Sequence, residues 1–114
     1  MECSENLYKN DPLKVYIAGP ITGNKMYEMN FKQAELLIKQ MGHTPLNPVK
    51  NVGFSYKEYI DMGLCELMRC DVLYALPGWE KSDGASLEVS YAKAVGLKIY
   101  HNISELWEAG PWQE

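Results

Sequence analysis

Positive charge is scarce in this chain of 114 residues, and the little there is never gathers into a run. Eleven Lys and Arg stand against fifteen Asp and Glu, giving a formal net charge of -4. Duplex nucleic acid is held through many phosphates at once, so a chain without a basic stripe is not expected to bind it. Long apolar runs are missing as well. Nothing approaches the roughly 20 residues that cross a bilayer, so no membrane partner is expected. The polar start Met1-Glu2-Cys3-Ser4-Glu5-Asn6 lacks the charged and apolar zones of a signal peptide, and the expected location is cytoplasmic. Cysteine is limited to Cys3, Cys65 and Cys70, an odd number that follows no metal-ligand spacing and reads as reduced thiols. The two histidines, His43 and His101, have no second ligand near them in sequence. Neither a metal nor a cofactor is expected.

What the chain does have is alternation between short apolar runs and amphipathic stretches. Residues 1–13 are polar and without period, which fits a flexible N-terminal extension before a single domain over 14–114. "KVYIAGP" is a buried first strand closed by Gly-Pro. From Tyr27 to Met41, apolar residues recur at three- and four-residue steps and Gly42 follows, the pattern of an amphipathic helix with its stop. "HTPLNP" supplies a second strand and Tyr56 to Arg69 a second helix. "DVLYAL" is apolar throughout, as a parallel strand covered on both faces should be. Gly84 to Val95 form a third long helix ended by Gly96, "LKIY" a fourth strand, and Ile103 to Glu108 a short last helix. The order predicts an α/β fold: a small doubly wound parallel sheet of four to five strands, Rossmann- or flavodoxin-like, with helices on both faces.

In such sheets ligands bind beyond the carboxyl ends of the strands. After the first strand, "AGPITGNKMYE" offers Gly19, Pro20, Ile21, Thr22 and Gly23 ahead of a helix start, a setting for an anion or simply a turn that needs glycine. After the second, Pro48 confines Asn47 to extended geometry. Asp71 opens the third strand. After it, "LPGWEKSDGASLE" holds Trp79, a Ser82 or Asp83 cap, and a slim first turn of Gly84, Ala85 and Ser86. Glu88 lies about one turn further in, with the small residues Ala85 and Ala92 on its own face. That is an unusual setting for a surface carboxylate.

"VYIAGPITG", "DVLYALPGW" and "SDGASLEVSYAKAVGLKIY", in this order over residues 14–100, resemble the nucleoside 2-deoxyribosyltransferase superfamily, and in particular its short, phage-type members of unassigned function. The resemblance implies that Glu88 attacks the anomeric carbon of a 2-deoxyribonucleoside or its 5'-monophosphate and forms a covalent glutamyl-deoxyribosyl intermediate. It implies Asp71 as the group that handles the proton of the departing base and Asp83 as a holder of the sugar hydroxyls. Gly19, Ile21, Thr22, Gly23 and Ser86 would bind a phosphate. Trp79 would stack on a base or cover the domain. Asn102 is a loose match for an asparagine that a neighbouring subunit donates, which implies a homodimer or higher homo-oligomer. Leu106, Trp107, Trp112 and the many tyrosines are also more large apolar surface than one small sheet readily hides. A catalytically silent nucleotide-binding module would use the same loops without a nucleophile, and the "LPGWEKSDGASLE" stretch resembles phosphoribohydrolases more faintly.

Overall fold

The computed structural model describes residues 12–50 and 53–108. Most of the expected N-terminal extension, together with Cys3 and Trp112, lies outside these residues. Four strands, β1 (Lys14–Ala18), β2 (Thr44–Leu46), β3 (Val72–Ala75) and β4 (Lys98–Tyr100), alternate with helices α1 (Tyr27–Gln40), α2 (Tyr56–Leu67), α3 (Asp83–Val95) and α4 (Ile103–Glu108). All strand pairs are parallel, in the spatial order β2-β1-β3-β4. The expected doubly wound sheet is present with four strands.

Burial on both faces explains the composition of the central strands. Along β1, Val15 and Ile17 turn to one side, where Phe31, Ala34 and Ile38 of α1 and Leu106 of α4 cover them. Tyr16 and Ala18 turn to the other, against Leu67 of α2 and Ala85, Val89 and Ala92 of α3. A strand covered twice must be apolar at every position, and all four residues of β3 are buried. Tyr16 differs in chemistry from its β1 neighbours, since it is fully buried yet carries a hydroxyl.

Helix ends follow local rules. Ser55 opens α2 with a reciprocal cap, in which the Glu58 amide donates to Ser55 Oγ at 3.2 Å and the Ser55 amide to Glu58 Oε1 at 2.8 Å. Ser82 opens α3, its Oγ accepting from the Ala85 amide at 3.2 Å. Gly96 closes α3 at a φ of 87°, a left-handed conformation that other residues adopt only with strain. The second helix stops at Leu67, two residues before the expected Arg69, because Met68 and Arg69 tighten into a turn that feeds β3.

The strand order reverses at the centre. The chain leaves β1 toward β2 and leaves β3 toward β4, on opposite sides, so the loops after β1 and β3 diverge and open a crevice.

Candidate active site

That crevice is a cavity of about 620 Å³, within the usual size of small-molecule sites. Its walls come from the β1 loop (Gly19, Ile21, Thr22), the first turns of α1 (Tyr27, Glu28), one face of α2 (Tyr56, Tyr59, Ile60, Gly63, Glu66) and the start of α3 (Asp83, Gly84, Glu88). Helix α3 lies flat on the sheet because Ala85 and Ala92, on the inner face with Val89, are small. Glu88, between them, is carried inward instead of toward solvent.

At the floor of the cavity the Tyr16 hydroxyl donates to Glu88 Oε2 at 2.7 Å. Burial raises the Glu88 carboxyl most, the Tyr16 hydrogen bond opposes this, and the charge of Glu66 adds to it, leaving Glu88 near 7. The same burial, with the Glu88 charge beside it, drives the Tyr16 phenol far above its ordinary range. Tyr16 therefore stays protonated as a permanent donor. Glu88 is held near the point where it exchanges a proton at neutral pH, which suits either a nucleophile or an acid-base group.

Charge around the cavity is one-sided. Glu28, Glu66, Asp83 and Glu88 line it, and among the described residues Lys81 is its one lining cation. The amides at the start of α3 are partly spoken for: the Ala85 amide is taken by Ser82 Oγ and the Ser86 amide by the Ser82 carbonyl at 2.8 Å.

Of the residues singled out in the sequence, Gly19, Ile21, Thr22, Asp83, Gly84 and Glu88 line this cavity together. Seven do not. Asp71 sits at the opposite, amino-terminal edge of the sheet, where its Oδ2 accepts from the Lys14 amide at 2.8 Å, so it cannot reach a ligand beside Glu88. Ser86 turns its hydroxyl back onto the carbonyls of Trp79 and Glu80, each at 3.2 Å. Asn47 is consumed by α1 and by its own turn, donating to Glu35 Oε1 at 3.1 Å and accepting from the Val49 amide at 3.0 Å. Trp79 stacks on His101, ring centroids 5.9 Å apart, and packs against the α3 side of the core, so it covers the domain. Asn102 caps α4 by accepting from the Glu105 amide at 2.9 Å. Pro20 lines a separate hollow with Tyr74 and Leu76, and Gly23 makes the turn after β1 without lining the cavity.

Sequence reasoning passed over Tyr16, Tyr59, Gly63 and Glu66. Two of them left a signal. A tyrosine inside an otherwise aliphatic buried strand must find a partner for its hydroxyl, and a glycine in mid-helix marks close approach by something else. Among the described residues no group of His, Cys, Asp and Glu could hold a metal ion, and no helix is long and apolar enough to cross a membrane.

The doubly wound four-strand sheet matches the nucleoside deoxyribosyltransferase fold, and three solved structures share that fold. The 2-desoxiribosyltransferase from Leishmania mexicana superposes with a TM-score of 0.63 at 25% identity, over 77% of this chain and 62% of that one. The 2-deoxyribosyltransferase from the psychrotolerant bacterium Bacillus psychrosaccharolyticus gives 0.59 at 19%, over 75% and 69%. The Clostridium botulinum CMP N-glycosidase BcmB gives 0.57 at 22%, over 75% and 65%. The chain thus spans about three fifths of the length of the Leishmania enzyme. No curated protein matches the sequence. The chain belongs to the family described as domain of unknown function DUF4406, whose model matches residues 13–101.

Proposed function

We propose that the protein cleaves or transfers the N-glycosidic bond of 2-deoxyribonucleosides or their 5'-monophosphates, with Glu88 as nucleophile. The single observation that carries this is the hydrogen-bonded Tyr16–Glu88 pair at the floor of a cavity large enough for a nucleoside. An N-glycosidic bond breaks through an oxocarbenium-like state, and a carboxylate beside the anomeric carbon both stabilises and captures it. A bond forms between a Glu88 oxygen and the anomeric carbon, and the electron pair of the broken bond leaves with the base. Water or a second base then attacks the same carbon and returns Glu88 as a carboxylate, with retention overall. Tyr16 holds the carboxylate in place throughout, and Asp83, which lines the same cavity, would take the sugar hydroxyls. Asp71 is too far to protonate the base, so that step falls to another group in the cleft or to water.

The charge around the cavity favours nucleosides over monophosphates. A 5'-phosphate would bring about two negative charges toward four carboxylates and one lysine. The Ser86 hydroxyl, assigned to phosphate by resemblance, is already bonded to the carbonyls of Trp79 and Glu80, and the Ala85 and Ser86 amides are taken by Ser82. The neighbour named a CMP N-glycosidase keeps monophosphates in the test panel. Incubation with deoxynucleosides and their monophosphates should release free base, and Glu88→Ala should stop release in a folded protein. An inert wild type across the panel refutes the enzyme and leaves the silent binding module, for which thermal stabilisation by nucleosides without turnover is the mark. We also propose a homo-oligomer with a domain over residues 14–114 in each subunit, since Met29, Leu36, Leu37 and Trp107 are exposed. A monomer in gel filtration at micromolar concentration counts against it.

A further inference from the structure

Helices α2 and α3 meet through two glycines, one from each. A Cβ built on Gly84 of α3 would lie 3.3 Å from Ile60 Cδ1 and 3.6 Å from the Tyr56 hydroxyl, ordinary to tight contacts with α2. A Cβ on Gly63 of α2 would lie 2.6 Å from Glu88 Oε2 and 2.8 Å from the Tyr16 hydroxyl, closer than such atoms approach. Both oxygens of the floor pair rest on the bare backbone of one residue. Gly63 is fully packed inside a twelve-residue helix, where glycine is less favourable than alanine by about 1 kcal/mol from helix propensity alone. Something other than helix formation must account for its presence there.

We propose that Gly63 is a positioning residue for Glu88: by lacking a side chain it lets α2 close over the carboxylate and keeps the Tyr16 hydroxyl within bonding distance of it. Any larger residue occupies the space in which the two oxygens meet. The pair must then separate, since both side-chain ends lie against the added carbon. Gly63 acts through Tyr16 and Glu88 and need not touch a substrate. Its catalytic meaning rests on the nucleophilic role proposed for Glu88, whereas its geometric role does not.

A thermodynamic cycle on Glu88 tests this without using turnover. The Cδ carbon-13 signal of Glu88, assigned by its loss in Glu88→Gln, is followed against pH in the wild type, Tyr16→Phe, Gly63→Ala and the double variant. The other charged or titratable groups lining the cavity with Glu88 are Tyr27 and Glu28 from α1, Tyr56, Tyr59 and Glu66 from α2, Asp83 from its own helix and Lys81 before it, and all of them are unchanged across the cycle. Tyr16→Phe alone removes a donor that favours the charged form, so the Glu88 midpoint should rise by roughly one pH unit. In the G63A background the bond is already broken, and the same substitution should move the midpoint by less than a third as much. An undiminished effect of Tyr16→Phe in that background overturns the proposal, because a glycine needed only for helix packing would leave the pair intact.

If Gly63→Ala alone does not fold, the double variant decides, since deleting the hydroxyl removes the 2.8 Å contact and frees the Glu88 carboxylate to swing away from the methyl group. A folded double supports the proposal, and an equally unfolded one overturns it. Base release is assayed in parallel. Coupling without any base release in the wild type removes the glycosidic function and leaves the role of Gly63 standing, while base release without coupling removes Gly63 alone.

Discussion

Replacing Glu88 by glutamine should make the protein more stable and catalytically dead, and the stability gain should depend on pH in a defined way. In the folded state burial lifts the Glu88 carboxyl from its ordinary 4.5 to about 7. The folded chain therefore binds this proton more tightly than the unfolded chain does. The sign follows from linkage: below about 4.5 both states are protonated and Glu88 carries no penalty, between there and about 7 ionisation progressively favours unfolding, and above that the full penalty is in place. At about 1.4 kcal/mol per pH unit, the gap corresponds to about 3 kcal/mol. Glu88 keeps some access to water through the cleft, which screens part of it, so a penalty of roughly 1–3 kcal/mol is expected at pH 8.

Glutamine has nearly the same shape, still accepts from the Tyr16 hydroxyl, and does not titrate. Glu88→Gln should thus raise the melting temperature at pH 8 by roughly 4–12 °C for a domain of this size. Near pH 4.5 the two proteins should melt together. All other ionisable groups are common to both, so their contributions cancel in the difference. Scanning calorimetry or thermal unfolding by circular dichroism from pH 4.5 to 8.5 reads the result directly. A difference between the two proteins that stays flat across this range would show that Glu88 titrates like a surface carboxylate, and the burial assigned to it would be wrong.

Three further outcomes are expected. Base release by the wild type, followed as kcat/KM against pH, should rise between pH 6 and 8 with a midpoint near 7, because only ionised Glu88 attacks; a profile flat down to pH 5 contradicts this. Asp71→Ala should leave base release within about twofold of wild type and lower stability by at most about 1 kcal/mol, the worth of an exposed hydrogen bond to the Lys14 amide; a hundredfold loss of activity would restore Asp71 to the chemistry. Deoxynucleosides should be processed at least about tenfold more efficiently than their 5'-monophosphates in low salt, with the gap narrowing as ionic strength rises and screens the carboxylates around the cleft; equal efficiencies would refute the electrostatic preference.

The fold was legible because each signal for it is local. Apolar runs of strand length, helical periodicity in 27–41, and glycine stops at Gly42 and Gly96 all act within a few residues, and the element order then leaves few topologies open. The position of Glu88 was legible for a related reason: Ala85 and Ala92 on its own helix face announce a close neighbour before the neighbour is known. The misplacements share a cause as well. Asp71, Asn47 and Ser86 are short polar side chains next to element ends, and such residues are claimed first by backbone groups within reach, as their hydrogen bonds to Lys14, Val49 and Trp79 demonstrate. For Asp71 the matter turned on one boundary, since a residue that opens a parallel strand lies a strand length away from the ligand edge.

What sequence order could not supply was the contribution of α2, which comes from packing across the sheet. Tyr59, Gly63 and Glu66 reach the cavity only because β2 and β3 flank β1, so that the helix joining them passes over β1 and comes to rest beside α3. Tyr16 lies 72 residues from Glu88 in sequence and 2.7 Å away in space. The same topology that buries Tyr16 as a core residue places its hydroxyl under Glu88 and brings the backbone of Gly63 against both. Core packing and the candidate chemistry are therefore not separable at this point of the molecule. Substitutions of Tyr16 or Gly63 should alter the titration of Glu88 in proportion to their effect on local packing, and substitutions in the α1–α4 layer on the far face, such as Leu106→Ala, should lower stability while leaving that titration where it was.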